Sequence, residues 1–263
     1  PMIFMGLALV HFQKYWLLSV THFIQNFVFS DQNVDYKMRF LQTIGDCQRK
    51  LEQFEASTKT YNTALELRFD SGDKNSNYKI KGDIIHNKAE NYRSLNKLAK
   101  AMKCFKQSLE TKQNRLDSAK QYSIALTLNS IGICYEELGE FQKALDKYYK
   151  AKEHLKGAKD NQDTKHLLSM LSNNEGICLE ELGHFEKALK AYENDLAVRK
   201  EINASAEDMA KTLGNIANVL SAQGRHQEAL EKNNESLKKF REHYGQDAKT
   251  VNIAMSLNNI GRE

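Results

Sequence analysis

Residues 133–145 read ICYEELGEFQKAL, and residues 177–189 read ICLEELGHFEKAL. Ten of the thirteen positions are identical, at an offset of 44 residues. A fixed period of roughly 20–50 residues marks a stack of like units, because so small a unit cannot bury its own apolar face and needs a similar neighbour to cover it. With Gly132 and Gly176 as anchors, equivalent small residues stand at Gly45, Ala89, Ala217 and Gly261, spaced 44, 43, 44, 41 and 44 apart along the chain.

The surrounding columns have a physical reading. Leu128, Ile131, Gly132 and Tyr135 recur at i, i+3, i+4 and i+7, which is one apolar stripe of a helix. Seven residues after the anchors stand Glu52, Asn96, Gly139, Gly183 and Gly224. Glycine there ends the helix, since it enters the left-handed region without steric cost. Asn96 adopts that conformation at some cost, and Glu52 implies a turn that is either different or strained. Phe141, Ala144, Leu145 and Tyr148 then restart a helical stripe, the alanine allowing close approach of two helices. Each unit is therefore helix, tight turn, helix. The near absence of proline, a single residue at Pro1, suits long unbroken helices.

The spacing of L-G at the turn, an aromatic, an alanine and a second aromatic resembles the tetratricopeptide repeat. The resemblance covers about residues 36–263. The period exceeds the usual ~34 residues of that repeat, and in this it is similar to the long-helix repeats of kinesin light chains; SLKKFREHYGQDAKTVNIAMSLNNIG (236–261) is particularly so. The fold expected is all-α: a right-handed α-solenoid of stacked antiparallel helical hairpins. The array is set at 31–263, with repeats at about 36–79, 80–122, 123–165, 166–207 and 208–249 and the start of a sixth at 250–263. In the fifth repeat Gln223, His226 and Asn233 replace apolar residues, so that layer is expected to be looser.

Residues 2–29 differ from the rest, with Lys14 as their one formal charge. Their length would span a membrane, yet His11, Gln13 and Lys14 lie mid-segment, where polar groups are expensive. Alternatively residues 1–30 form a degenerate, truncated repeat or a packed leader helix: Leu9 and Phe12 fit the frame, and Tyr15 falls where alanine belongs. The first residue is Pro and the chain stops just as a motif begins, so the sequence reads as part of something longer. A membrane contact is expected only through residues 2–29.

Several classes of chemistry find no support in the residues. The net charge of +4 comes from 38 basic and 34 acidic residues that are mixed along the chain; this is not the basic stripe of a nucleic-acid binder, and no nucleic acid is expected. Four dispersed cysteines without C-x-x-C point to a reducing compartment, here the cytoplasm. Cys47, Cys134 and Cys178 share one small-residue column, which a core role explains. No H-E-x-x-H, P-loop, G-x-G-x-x-G or G-x-S-x-G occurs. No catalytic residue, metal or cofactor is therefore assigned, and the protein is not read as an enzyme. Glu136-Glu137 and Glu180-Glu181 project about 100° apart on a helix and share no common substrate position.

The asparagines hold more interest. Asn87, Asn129, Asn173, Asn174, Asn215, Asn258 and Asn259 all stand two or three residues before an anchor. Asparagine costs about 0.5 kcal/mol in a helix relative to alanine, so its recurrence points to a use for the amide. In the family this chain resembles, these first-helix positions line a concave groove, and an amide pairs with a peptide bond through both donor and acceptor. The alternative is that neighbouring asparagines bond each other along the stack. Four residues after the anchors come Arg49, Arg93, Glu136 and Glu180, which would make the groove basic in the first two repeats and acidic in the next two. The resemblance thus implies a protein-interaction scaffold or adaptor that holds an extended or helical peptide segment of a protein partner in its concave groove; the charged column adds a partner with an acidic and a basic end, its other reading being ordinary solvated helix ends. The alternative is a regulatory or sensor array of a larger signalling enzyme, an NTPase or kinase.

Overall fold

The structure is a computed structural model that describes residues 34–67, 74–246, 248 and 250–261. The expectations placed on residues 1–30 lie outside the described residues. Two compact units divide the chain at Arg115 and Leu116. In the first, α1 (Val34–Lys50) and α2 (Phe54–Glu66) form one hairpin, and α3 (Lys74–Ser94) and α4 (Leu98–Gln113) a second. In the second unit α5 (Lys120–Glu137) pairs with α6 (Phe141–Lys156), α7 (Gln162–Glu181) with α8 (Phe185–Glu201), and α9 (Ala206–Ala222) with α10 (His226–Tyr244); α11 (Val251–Ile260) packs on α10. The chain is all-α, built of antiparallel hairpins that stack on their neighbours within each unit. The first helices of the second to fifth repeats begin at Lys74, Lys120, Gln162 and Ala206, upstream of the starts set by spacing alone. Side-chain caps account for three helix starts: Asn161, Ser205 and Thr250 accept from the backbone N–H of Thr164, Asp208 and Ile253 at 2.9, 3.1 and 3.3 Å.

All five turns inside the hairpins are built alike. At the third, Gly139 N–H donates to Glu136 O at 2.9 Å and Glu140 N–H to Tyr135 O at 2.8 Å, a Schellman closure that satisfies the last carbonyls of α5. The equivalent pairs recur at Glu52 and Gln53, Asn96 and Lys97, Gly183 and His184, and Gly224 and Arg225. Glu52 takes φ 58° and Asn96 φ 55°, beside 71°, 73° and 74° at the three glycines. The first turn is therefore the same as the rest, and Glu52 is strained in it.

The anchor glycines have a different purpose. A Cβ on Gly132 would fall 2.8 Å from Cδ1 and Cζ of Tyr148, and a Cβ on Gly176 2.8 Å from Cζ of Tyr192. Gly45 stands in the same relation to Tyr61. All three tyrosines are fully buried. So are Ser57, Ala101, Ala144, Ala188 and Ala229, one from each hairpin, which let the second helix close on the first. A second close-approach column lies nineteen residues past the anchors, at Ala64, Ser108, Ala151 and Ser236, all buried. Ser108 Oγ reaches Gly82 O at 2.7 Å and Ser236 Oγ reaches Ala210 O at 2.7 Å across their hairpins.

Two substitutions test the turns. Glu52→Gly should raise stability by about 1 kcal/mol by removing left-handed strain. Gly183→Val finds no atom within 4 Å of its new Cβ, so its loss of about 1–3 kcal/mol should come from the backbone alone. Urea denaturation followed by circular dichroism reads both, and an unchanged midpoint in either would contradict the shared turn.

Candidate functional site

The asparagines two residues before an anchor form a ladder with one rule. Each donates through Nδ2 to the first helix of the preceding repeat. In the first unit Asn87 donates to Asp46 Oδ1 at 2.8 Å. In the second, Asn174 donates to Asn129 Oδ1 at 3.1 Å, Asn215 to Asn173 Oδ1 at 3.1 Å, and Asn259 to Asn218 Oδ1 at 3.3 Å. The amides therefore do bond along the stack. They keep other atoms free: among the described residues no donor reaches Oδ1 of Asn87, Asn215 or Asn259. These three and Asn174 are half-buried, Asn258 is exposed, and Asn129 is buried beneath the surface as an acceptor.

The charged column is largely turned inward. Tyr148 Oη donates to Glu136 Oε2 at 2.8 Å and Tyr192 Oη to Glu180 Oε2 at 2.9 Å. In the first repeat the column holds Arg49, and Tyr61 Oη goes instead to Asp46 Oδ1 at 2.5 Å. Glutamate thus stands in this column only where a tyrosine follows twelve residues on to use it. Arg93 pairs with Glu90 at 2.9 Å, which offsets its charge. The Nε of Arg49 is buried without a hydrogen bond.

Burial raises the Glu136 carboxyl above the usual range; the bonds from Tyr148 and Cys178 oppose this, and Glu137 and Glu181 add to it. Burial likewise raises Glu180. The Tyr148 and Tyr192 phenols are pushed upward by burial and by the carboxylates they touch, so they remain donors. Burial, then Glu136, pushes the Cys178 thiol up to about 12, so this buried cysteine stays a thiol and serves packing.

Buried polar clusters escaped the reading of the sequence, among them the one centred on Asp195. Asp195, fully buried, accepts from Ser169 Oγ, from Thr212 Oγ1 at 2.6 Å and from Arg199 Nε at 2.8 Å. It ties α7, α8 and α9 together. The signal was available, since Asp195 is the one acid in the nineteenth-residue column otherwise filled by Ala64, Ser108, Ala151 and Ser236. Among the described residues no three His, Cys, Asp or Glu side chains gather in a metal-holding group, and no helix is long and apolar enough to cross a membrane.

Stacked hairpins with a left-handed turn, a small anchor and an aromatic across it define a helical-repeat protein of the tetratricopeptide class. Family models of the tetratricopeptide repeat match residues 81–157 and 166–242, and another matches 39–71; the chain belongs to this family. Among solved structures it is similar to BtubC (BKLC) from P. vanneervenii, at 19% identity and a TM-score of 0.67 over 82% of this chain and 85% of that one. RapI in its apo form gives 16% identity and 0.67 over 93% and 68%. The nearly identical TPR-like repeats of a putative kinesin light chain from Podosopora anserina give 13% and 0.61 over 82% and 100%. These likenesses bear on the fold. No curated protein matches the sequence.

A carboxyl whose folded pKa is raised stabilises the fold fully below its unfolded value and loses that contribution as pH rises through the folded one. Stability drawn from Glu136 and Glu180 should therefore fall as pH rises from the ordinary value of 4.5. Glu136→Gln keeps an acceptor for Tyr148, so it should raise the thermal midpoint at pH 7 and remove its share of the slope. A lower midpoint at pH 7 with the slope intact would contradict the assignment.

Proposed function

We propose that the chain is a protein–protein interaction scaffold that takes an extended peptide segment along the asparagine face of its first helices. The observation that supports it is the ladder itself: each amide is held in place by a bond to the preceding repeat, and the carbonyl oxygens of Asn87, Asn215 and Asn259 are left over, while that of Asn174 accepts from Asn173. A side chain fixed in this way presents an acceptor without losing further rotamer freedom on binding. Packed helices lie about 8–10 Å apart, close to three residues of extended chain at about 3.3 Å each. Within the second unit, where Asn174, Asn215 and Asn259 stand in successive repeats, the amides therefore match every third peptide bond, whatever the peptide's side chains. Backbone-directed hydrogen bonding of this sort gives affinity, and the pockets between repeats give selectivity. Arg49 adds positive charge beside the face of the first unit, which favours an acidic segment there.

The test is capture from native lysate by the full chain, beside a variant with Asn87, Asn174, Asn215 and Asn259 all changed to alanine. Each loss of a ladder bond costs roughly 0.5–1.5 kcal/mol, so the variant is used at a temperature where circular dichroism shows it folded. Proteins identified by mass spectrometry with the parent chain should vanish with the variant. Equal recovery by both would show that the amides serve the stack alone. Arg49→Glu should in turn weaken the captured partner, and unchanged recovery would remove the charge preference.

A further inference from the structure

A cleft of about 150 Å³ opens between α9, α10 and α11, in the layer where the ring column is broken. In the first four repeats the residue sixteen past the anchor is Tyr61, Phe105, Tyr148 or Tyr192, each fully buried. In the fifth it is Asn233, which is 1% exposed. Asn233 lines the cleft. Its Nδ2 is buried and has no hydrogen-bond partner. A buried N–H left unpaired is costly, so the position favours an acceptor brought from outside.

The remaining walls define what that acceptor belongs to. Ser236 Oγ is committed to Ala210 O at 2.7 Å and Ser256 Oγ to Asn252 O at 3.1 Å. Asn252 Nδ2 donates to Tyr244 Oη at 3.4 Å. Asn215 and Asn259, both on the cleft, have their Nδ2 groups engaged in the ladder and their Oδ1 atoms open. Lys211, also at the cleft, is paired with Glu207 at 2.8 Å and is half exposed. The site thus offers a buried unpaired donor at Asn233, an exposed donor at Asn218, whose Oδ1 is held by Asn259, acceptors at Asn215 and Asn259, and a cation already neutralised by its own partner. A carboxylate would satisfy Asn233 but set its charge beside two carbonyl oxygens. An aliphatic side chain would leave Asn233 unpaired. A primary carboxamide brings one acceptor and two donors and meets both needs.

We infer that this cleft is a subsite for a carboxamide side chain, glutamine or asparagine, of the peptide bound on the asparagine face. It rests on the peptide-binding reading and names the residue that anchors the peptide in the second unit. The mechanism is selection by matched hydrogen bonds: a site built to pair a polar group rejects the analogue that lacks it.

The test titrates the full ¹⁵N-labelled chain with N-acetyl-glutamine N′-methylamide, and separately with its glutamate and leucine counterparts, at millimolar concentrations. The side-chain NH₂ resonances of Asn233, assigned by their loss in Asn233→Ala, are followed. The glutamine compound should shift them saturably and bind roughly tenfold tighter than either counterpart. Two variants should abolish the shifts elsewhere in the cleft. Asn233→Phe recreates the alanine–phenylalanine combination of Ala89 and Phe105 in the second repeat. Gly214→Leu fills the cleft from α9, where a Cβ meets nothing closer than Ser236 Oγ at 3.8 Å, and glycine removal favours the helix, so this variant stays folded. No saturable shift, equal binding of the leucine or glutamate compound, or binding unaltered in Gly214→Leu would overturn the subsite. Partner capture that depends on the ladder, without a carboxamide preference, overturns the subsite alone. A carboxamide preference without ladder-dependent capture supports the cleft and overturns the extended-peptide reading.

Discussion

A tyrosine ring lying across a glycine closes each of three hairpins, and the order of the fold follows from that contact. The ring can lie there only because the anchor has no Cβ: at Gly132 an added carbon would sit 2.8 Å from two atoms of Tyr148. Burying so large a side chain supplies much of the stabilisation of a hairpin, and it carries a hydroxyl into the interior that must be satisfied. Glu136, Glu180 and Asp46 meet that need. The carboxylates in turn sit where water is scarce, which is why burial raises Glu136 and Glu180. Sequence choice at the anchor, at the ring and at the acid is one coupled decision. The repeats without a tyrosine lack the acid as well: Ala89 stands with Phe105 and Ala217 with Asn233 in the same two columns, and Arg93 and Ser221 occupy the column of Glu136 and Glu180.

What could be read from the sequence is what repeats by position. The turn glycines, the small anchors and the alanine column recur at fixed offsets, and each has a steric meaning that needs no partner to interpret. The departures of the fifth repeat from its columns were legible for the same reason, and a cleft opens beside one of them, Asn233. Contacts that join different columns were harder to see. Glu136 and Glu180 read as groove charges until the structure showed them bonded to tyrosines twelve residues on. The pairing was written in the chain, since the glutamates appear only with the tyrosines, but one column alone does not reveal it. Asp195 was missed because a lone acid on a helix reads as solvated, whereas its column is interior.

The candidate site shows why the two readings of the asparagines were hard to separate. Both apply to the same side chain. The amide N–H of each rung holds the preceding repeat, and at Asn87, Asn215 and Asn259 the carbonyl oxygen is left without a donor. A structural bond of this kind orients the amide and so prepares it for a ligand. At Asn233 the balance differs: the ring is gone, the amide is buried and unpaired, and the layer is open to a side chain from outside. On the proposed reading, stability and recognition draw on the same columns.

The most direct measurement is a double-mutant cycle between Gly132→Ala and Tyr148→Asn, with stabilities from urea denaturation. With Tyr148 present, Gly132→Ala should cost about 2 kcal/mol or more through overlap with the ring. In the Tyr148→Asn background, which recreates the alanine–asparagine combination of Ala217 and Asn233, Gly132→Ala should be neutral or stabilise by up to about 1 kcal/mol, as expected for glycine to alanine in a helix. This reversal of sign is the result predicted for an anchor that is small because of the ring. Equal effects of Gly132→Ala in both backgrounds, within about 0.5 kcal/mol, would contradict the coupling between anchor and ring on which the fold depends.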